Sequence, residues 1–233
     1  MIPALTAAMP EPIYETVITS QDAAGRAHVA PMGVRYRPLA DGSPGVVLMP
    51  FKPSVTHDNI VATGHAVLNI VSDTRVFATC VTGRRDAAVL QLLPLLQGTG
   101  QRLACALRHL QLRLATRQDD GQRPLLHLAV LAQAEHAPFL GLNRAQAAVV
   151  EGAVLVSRLH LLPADKISRE MDYLQIAIDK TAAAQEREAW GWLRAAVAAH
   201  LQTAAQPRTT AQAIAQPTAQ HPLLAANPQE DVA

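Results

Sequence analysis

The chain has 233 residues, 49% of them hydrophobic, with a formal net charge of +1 and only 3% aromatic residues. That length predicts one large domain or one and a half ordinary ones. The missing basic excess and the scarce aromatics exclude a surface that holds nucleic acid by phosphate neutralisation or base stacking.

Met1 to Pro12 lacks the basic-then-apolar order of a secretion signal. No later apolar run approaches the roughly 20 residues of a membrane span. Ile13 to Ser20 is rich in β-branched residues and runs into the turn Gln21-Asp22-Ala23-Ala24-Gly25, so it reads as a strand. His28 to Tyr36 reads as its hairpin partner. Pro31 and Gly33 lie in the middle of that partner, which predicts a free edge or a bulge facing something. Val46 to Met49 and Ala66 to Val71 are short apolar strands.

Between them lies Pro50-Phe51-Lys52-Pro53-Ser54-Val55-Thr56-His57-Asp58-Asn59-Ile60, read as a strand end, a basic hydroxyl-rich loop and a helix that stops at Gly64. Free N–H groups and the positive end of the helix dipole suit an anion there. Lys52 adds a charge, and Ser54, Thr56 and Asn59 add short polar side chains able to meet phosphate oxygens. The same Ser54 or Thr56 also suits a plain helix cap.

Residues 86–97 read as a short helix ending near Pro94 or Gly98. Leu110, Leu112 and Leu114, then Leu126, Leu128 and Val130, recur with a period of two, the mark of half-buried antiparallel strands. Cys80 and Cys105 sit in apolar runs without a CxxC partner and read as buried free thiols of a reduced, cytoplasmic protein. After Pro138 the spacing becomes helical over Leu142–Leu161, Asp165–Thr181 and Gln185–Gln202, with Pro163 between the first two. From about residue 205 the chain is Gln, Ala, Pro and Thr and reads as disordered. The nine histidines are scattered without metal-ligand spacing, and Trp190 and Trp192 read as packing or dimer residues rather than a stacking platform. The expected fold is α+β: an antiparallel barrel of about six strands with one inserted helix over 1–138, three helices over 139–204, and a tail over 205–233.

Several pieces in this order resemble the FMN-binding split β-barrel proteins of archaea and methylotrophs, the domain-of-unknown-function family 447, related to flavoredoxins and flavin reductases. They are Ile13 to Ser20, Ala30-Pro31-Met32-Gly33-Val34, Pro50-Phe51 with Ser54, Thr56 and Asn59, and Val67-Leu68-Asn69-Ile70. Leu142-Asn143-Arg144-Ala145, Glu151, Ser157-Arg158-Leu159 and Glu186-Arg187-Glu188-Ala189 complete the set; His57 and Pro53 depart from the family pattern. The resemblance implies a homodimer with FMN at the subunit interface. The phosphate would sit on Lys52, Ser54, Thr56 and the helix that carries Asn59, and the flavin edge would lie against Ala30, Pro31, Met32, Gly33 and Val34. Asn143 and Arg144 would face the flavin or a substrate anion. It further implies a reductase that uses NAD(P)H or a deazaflavin on an unidentified small molecule, with no catalytic side chain assigned. The alternative is a non-catalytic flavin- or coenzyme-binding protein linked to tetrahydromethanopterin one-carbon chemistry.

Overall fold

In the computed structural model, which describes residues 11–119 and 121–205, the first half of the chain forms eight strands and two short helices. In chain order these are β1 (Tyr14–Gln21), β2 (Ala27–Tyr36), β3 (Gly45–Leu48), α1 (Val55–Thr63), β4 (His65–Ile70) and α2 (Arg75–Val81). The hairpin β5 (Leu92–Pro94) and β6 (Gln101–Leu103) follows, then β7 (Arg108–Gln118) and β8 (Leu125–Glu135). Six antiparallel strands close a barrel in the order β1-β2-β3-β8-β7-β4.

Burial explains the sequence patterns. Ile18, Leu48, Leu68, Leu112, Leu126 and Leu128 fill the barrel interior. The period-two leucines of β7 and β8 supply one wall of it, as their spacing predicts. β1 is different: Ile18 points into the barrel while Val17 packs into a second cluster beneath the helices. With both faces covered, β1 reads as a continuous β-branched run rather than an alternation.

Asn69 on β4 ties three strands together. It is fully buried and its amide donates to Val17 O at 3.1 Å and Thr19 Oγ1 at 2.9 Å on β1. Its carbonyl oxygen accepts from Leu103 N on β6 at 2.8 Å. The β5–β6 hairpin is thereby anchored to the barrel. It occupies part of residues 86–97, where the sequence predicts a helix: Asp86 caps only one turn, at Ala88 and Val89, before the chain extends into β5. A second difference is α2, an additional inserted helix. It is buried nearly all round, so its segment carries no helical stripe for the eye to find.

The C-terminal half is α3 (Arg144–Val156), a 3₁₀ turn at Leu159–Leu161, α4 (Ala164–Thr181) and α5 (Ala184–Ala205). The helix expected over Leu142–Leu161 is therefore shorter and finishes in a 3₁₀ turn, while Pro163 stands immediately before α4. α3 packs on α5 across Gly152, whose missing side chain leaves room for Trp190 and Leu193. No helix among the described residues is long and apolar enough to cross a membrane. The expected tail beyond residue 205 lies outside the described residues.

A Cβ at Gly152 would lie 2.8 Å from Trp190 Cζ3, whereas one at the helical Gly191 meets nothing within 4 Å. Gly152→Val should therefore lower stability by about 1–3 kcal/mol, and Gly191→Ala should raise it by about 0.4–1 kcal/mol, both read by urea unfolding. Asn69→Ala leaves the buried Leu103 N–H without a partner and should cost at least about 2 kcal/mol, read in the same way.

Candidate functional site

β2 is paired unequally along its two edges. β1 accompanies it from Ala27 to Val34, but β3 pairs only with Val34, Arg35 and Tyr36. The other edge of residues 27–33 therefore has no strand partner. Strand alternation decides which backbone groups face this opening. Met32 O accepts from Thr16 Oγ1 on the β1 side at 2.8 Å, while Val29 O accepts from Arg85 Nη1 on the open side at 2.9 Å. Pro31 and Gly33 share the parity of Val29, so their backbone groups face outward. Proline at such a position forfeits no ladder hydrogen bond.

α1 begins beside this region. Ser54 is its N-cap, in extended conformation, and Ser54 Oγ accepts from His57 N at 3.2 Å. Its hydroxyl hydrogen is still free to donate. The N–H groups of Val55 and Thr56 have no partner among the described residues, as expected for a first helical turn. Gly64 ends α1 with φ 76°, its N–H donating to Ile60 O.

A cleft of about 380 Å³ runs between the β2 edge and the helices. Pro31, Met32 and Gly33 line one wall, with Met49 and Phe51 continuing it toward α1. Val150, Ala153 and Val154 of α3 and its C-cap Ser157 recur at helical spacing and form the facing wall. Three cations rim the space: Arg35, Arg123 and Arg158. The Arg123 guanidinium stacks over the Phe51 ring at 4.1 Å, and Arg35 Nη1 donates to Met49 Sδ at 3.0 Å. Glu15 also lines the cleft. Burial, and then the Glu151 charge, push its carboxyl above the ordinary range, with Arg158 pulling it partly back. The two cysteines are free and take no part; burial raises both thiols, Cys105 to about 11.

The structure separates the residues singled out from sequence into four groups. Pro31, Met32 and Gly33 lie on the cleft wall, flanked along β2 by Ala30 and Val34. Lys52, Ser54 and Thr56 cluster at the start of α1, where Lys52 Nζ pairs with Asp119 at 3.1 Å and Thr56 is almost fully buried. Asn59 is turned inward and donates to Ser20 Oγ at 3.1 Å, so its amide fixes α1 to β1. Asn143 and Arg144 do not reach the cleft within one chain. Asn143 caps α3, accepting from Ala145 N at 2.8 Å and donating to Thr181 O at 3.2 Å. Arg144 lies exposed on the first turn, on the order of 20 Å of helix from the Arg158 end.

Arg35, Arg123 and Met49 carry no local motif; barrel pairing alone assembles them. β3 pairs with β8 from Gly45↔Ala129 to Leu48↔Leu126, and Lys52 N donates to Gln122 O at 3.0 Å. That register sets Arg123 against Phe51.

Comparison with known proteins bears on the fold and the family. An FMN-bound protein from Methanosarcina mazei of the DUF447 family superposes with a TM-score of 0.67 at 17% identity, covering 80% of this chain and 96% of that one. A flavoredoxin from Methanosarcina acetivorans gives 0.46 at 16% identity, with 60% of this chain and 77% of that one covered. An FMN-binding protein from Thermus thermophilus gives 0.44 at 15% identity over 58% and 76% of the two chains. No curated protein matches the sequence. The N-terminal domain of the protein family of unknown function DUF447 matches residues 14–137, and the second DUF447 domain matches residues 143–195. The chain therefore belongs to the DUF447 family.

Proposed function

We propose that the chain is an FMN-dependent flavoprotein that acts as an oxidoreductase on a small molecule, with the flavin held where two copies of the chain meet. The observation that carries this reading is an open strand edge on the cleft wall, with Phe51 at the end of that wall leading within a few residues to a helix N-terminus whose first N–H groups have no partner among the described residues. A flavin ring carries N–H and C=O groups along its pyrimidine edge, which suits the outward Gly33 N–H and the Pro31 and Gly33 carbonyls. The FMN phosphate suits the α1 start: the Ser54 hydroxyl, the N–H groups of Val55 and Thr56, and the Lys52 charge. A relative of the same family is FMN-bound, which supports the assignment. When bound, FMN supplies the electron-transfer chemistry.

This chain's side chains do the rest. Pro31 and Gly33 fix the open edge, and Met49 and Phe51 exclude water from the wall that the ring would meet. Asn59 holds α1 in register with β1. Arg123 and Arg158 give the cleft a positive rim that attracts an anionic electron donor or acceptor, NAD(P)H and deazaflavins among them. Glu15 keeps a proton more readily than an ordinary carboxyl beside that space. Phe51, Val55 and Ile13 are each more than half exposed on this side, an apolar surface that a second copy would cover. In such a dimer Arg144 would reach a flavin only across the interface.

Ser54→Ala combined with Thr56→Val removes both hydroxyls while sparing the packing of the buried Thr56. FMN affinity should fall by roughly a hundredfold while riboflavin affinity changes little, measured by paired flavin titrations. Equal weakening for both ligands, or none, would mean the loop is only a helix cap. Light scattering of the FMN-loaded protein should give a dimer, and a stable monomer that retains FMN would overturn the interface site. Oxidation of NADPH or NADH by the loaded protein separates an oxidoreductase from a passive flavin binder.

A further inference from the structure

A second cavity, of about 530 Å³, lies between the β5–β6 hairpin and the far ends of β7 and β8. Its lining shares no residue with the cleft described above. Leu93, Pro94 and Leu95 of the hairpin and Ala132 and Ala134 of β8 give it an apolar part, with Leu96 exposed at the rim and Gln97, Gln111 and Gln133 also in the lining. The remaining part carries Arg102, His109 and His136. His109 is only 6% exposed, and its Nε2 is buried with no hydrogen-bond partner among the described residues. Its other ring nitrogen, Nδ1, lies 2.8 Å from His136 Nε2, and the two rings are coplanar within 8°.

We propose that this cavity is a second ligand site, for a small molecule that carries an oxyanion on a short apolar body. Each polar group is already held in place. Arg102 Nη1 donates to Leu103 O at 2.9 Å, which leaves the remaining guanidinium N–H groups for a ligand. The pairing with His136 fixes the His109 ring at the cavity wall, with its Nε2 turned into the protein away from solvent. A carboxylate or phosphate would accept from the free Arg102 N–H groups, beside the His109–His136 pair. Burial, the facing imidazole and the Arg102 charge together lower the proton affinity of His109, and burial and Arg102 lower that of His136. A bound anion offsets the Arg102 charge and restores that affinity, so the imidazoles report on occupancy. The leucine wall gives the apolar part of the ligand its place, the usual composition of a small-molecule site.

The experiment is histidine-ring NMR of the full chain titrated with three probes: hexanoate, inorganic phosphate and neutral 1-hexanol. Hexanoate or phosphate should shift the His109 and His136 ring signals toward the protonated position, and whichever binds more tightly identifies the head group. Hexanol should bind about tenfold more weakly or worse than hexanoate. Arg102→Gln should weaken the anion by about tenfold or more. Because Arg102 also holds backbone carbonyls, His136→Ala, at an exposed residue, serves as the second variant and should weaken it likewise. No shift with either anion, or equal shifts in wild type and both variants, would overturn the proposal. So would a cavity closed by a second copy of the chain, which gives no shift with any probe.

Discussion

Everything that concerns the site depends on one unequal pairing. β2 has a full partner in β1 but loses β3 at Val34, because β3 is only four residues long. A strand edge left without a ladder is normally a liability, since its N–H and C=O groups seek another partner. Here the opening is closed from the side by helices rather than by a strand. Arg85 takes Val29 O, α2 packs beneath, and α3 stands across the remaining gap. The stretch from Pro31 to Gly33 keeps its backbone groups available inside a walled cleft. A buried edge with room in front of it is a place for a flat, hydrogen-bonding molecule.

The helical half of the chain is therefore a part of the site. Gly152 lets α3 sit close to Trp190 and Leu193 on α5, which turns the face carrying Val150, Ala153 and Val154 toward β2. Asn143 fixes the start of α3 to the end of α4. On the barrel side, Asn69 locks β1, β4 and β6 together in the layer behind the cleft. The barrel supplies the open edge and the anion-suited helix start, and the helices supply the opposite wall and Arg158. That division agrees with the two DUF447 domains, which meet across this cleft.

Much of this was legible in the residues because the signals were local. β-branched runs, a period of two, Pro31 and Gly33 mid-strand, and the hydroxyl-rich segment before Gly64 each act within a few positions of themselves. α2 was illegible because a short helix buried on every side has no polar face to mark its period. Residues 86–97 were misleading because the anchor that extends them is Asn69, distant in sequence. Arg35 and Arg123 carried no signal at all: the β2–β3 register sets Arg35 beside Met49, and the β3–β8 register brings Arg123 to Phe51. Arg144 opens the first turn of α3, while Arg158 stands just beyond its last. What separates them is which end of α3 meets β2, a tertiary fact.

The most direct measurement is a crystal structure of the protein with FMN. The ring should lie along Pro31 to Gly33 with its pyrimidine edge on the strand backbone, and the phosphate should rest on Ser54 and the first N–H groups of α1. A flavin bound elsewhere, or a Pro31–Gly33 edge covered by protein and closed to ligand, would contradict the central claim.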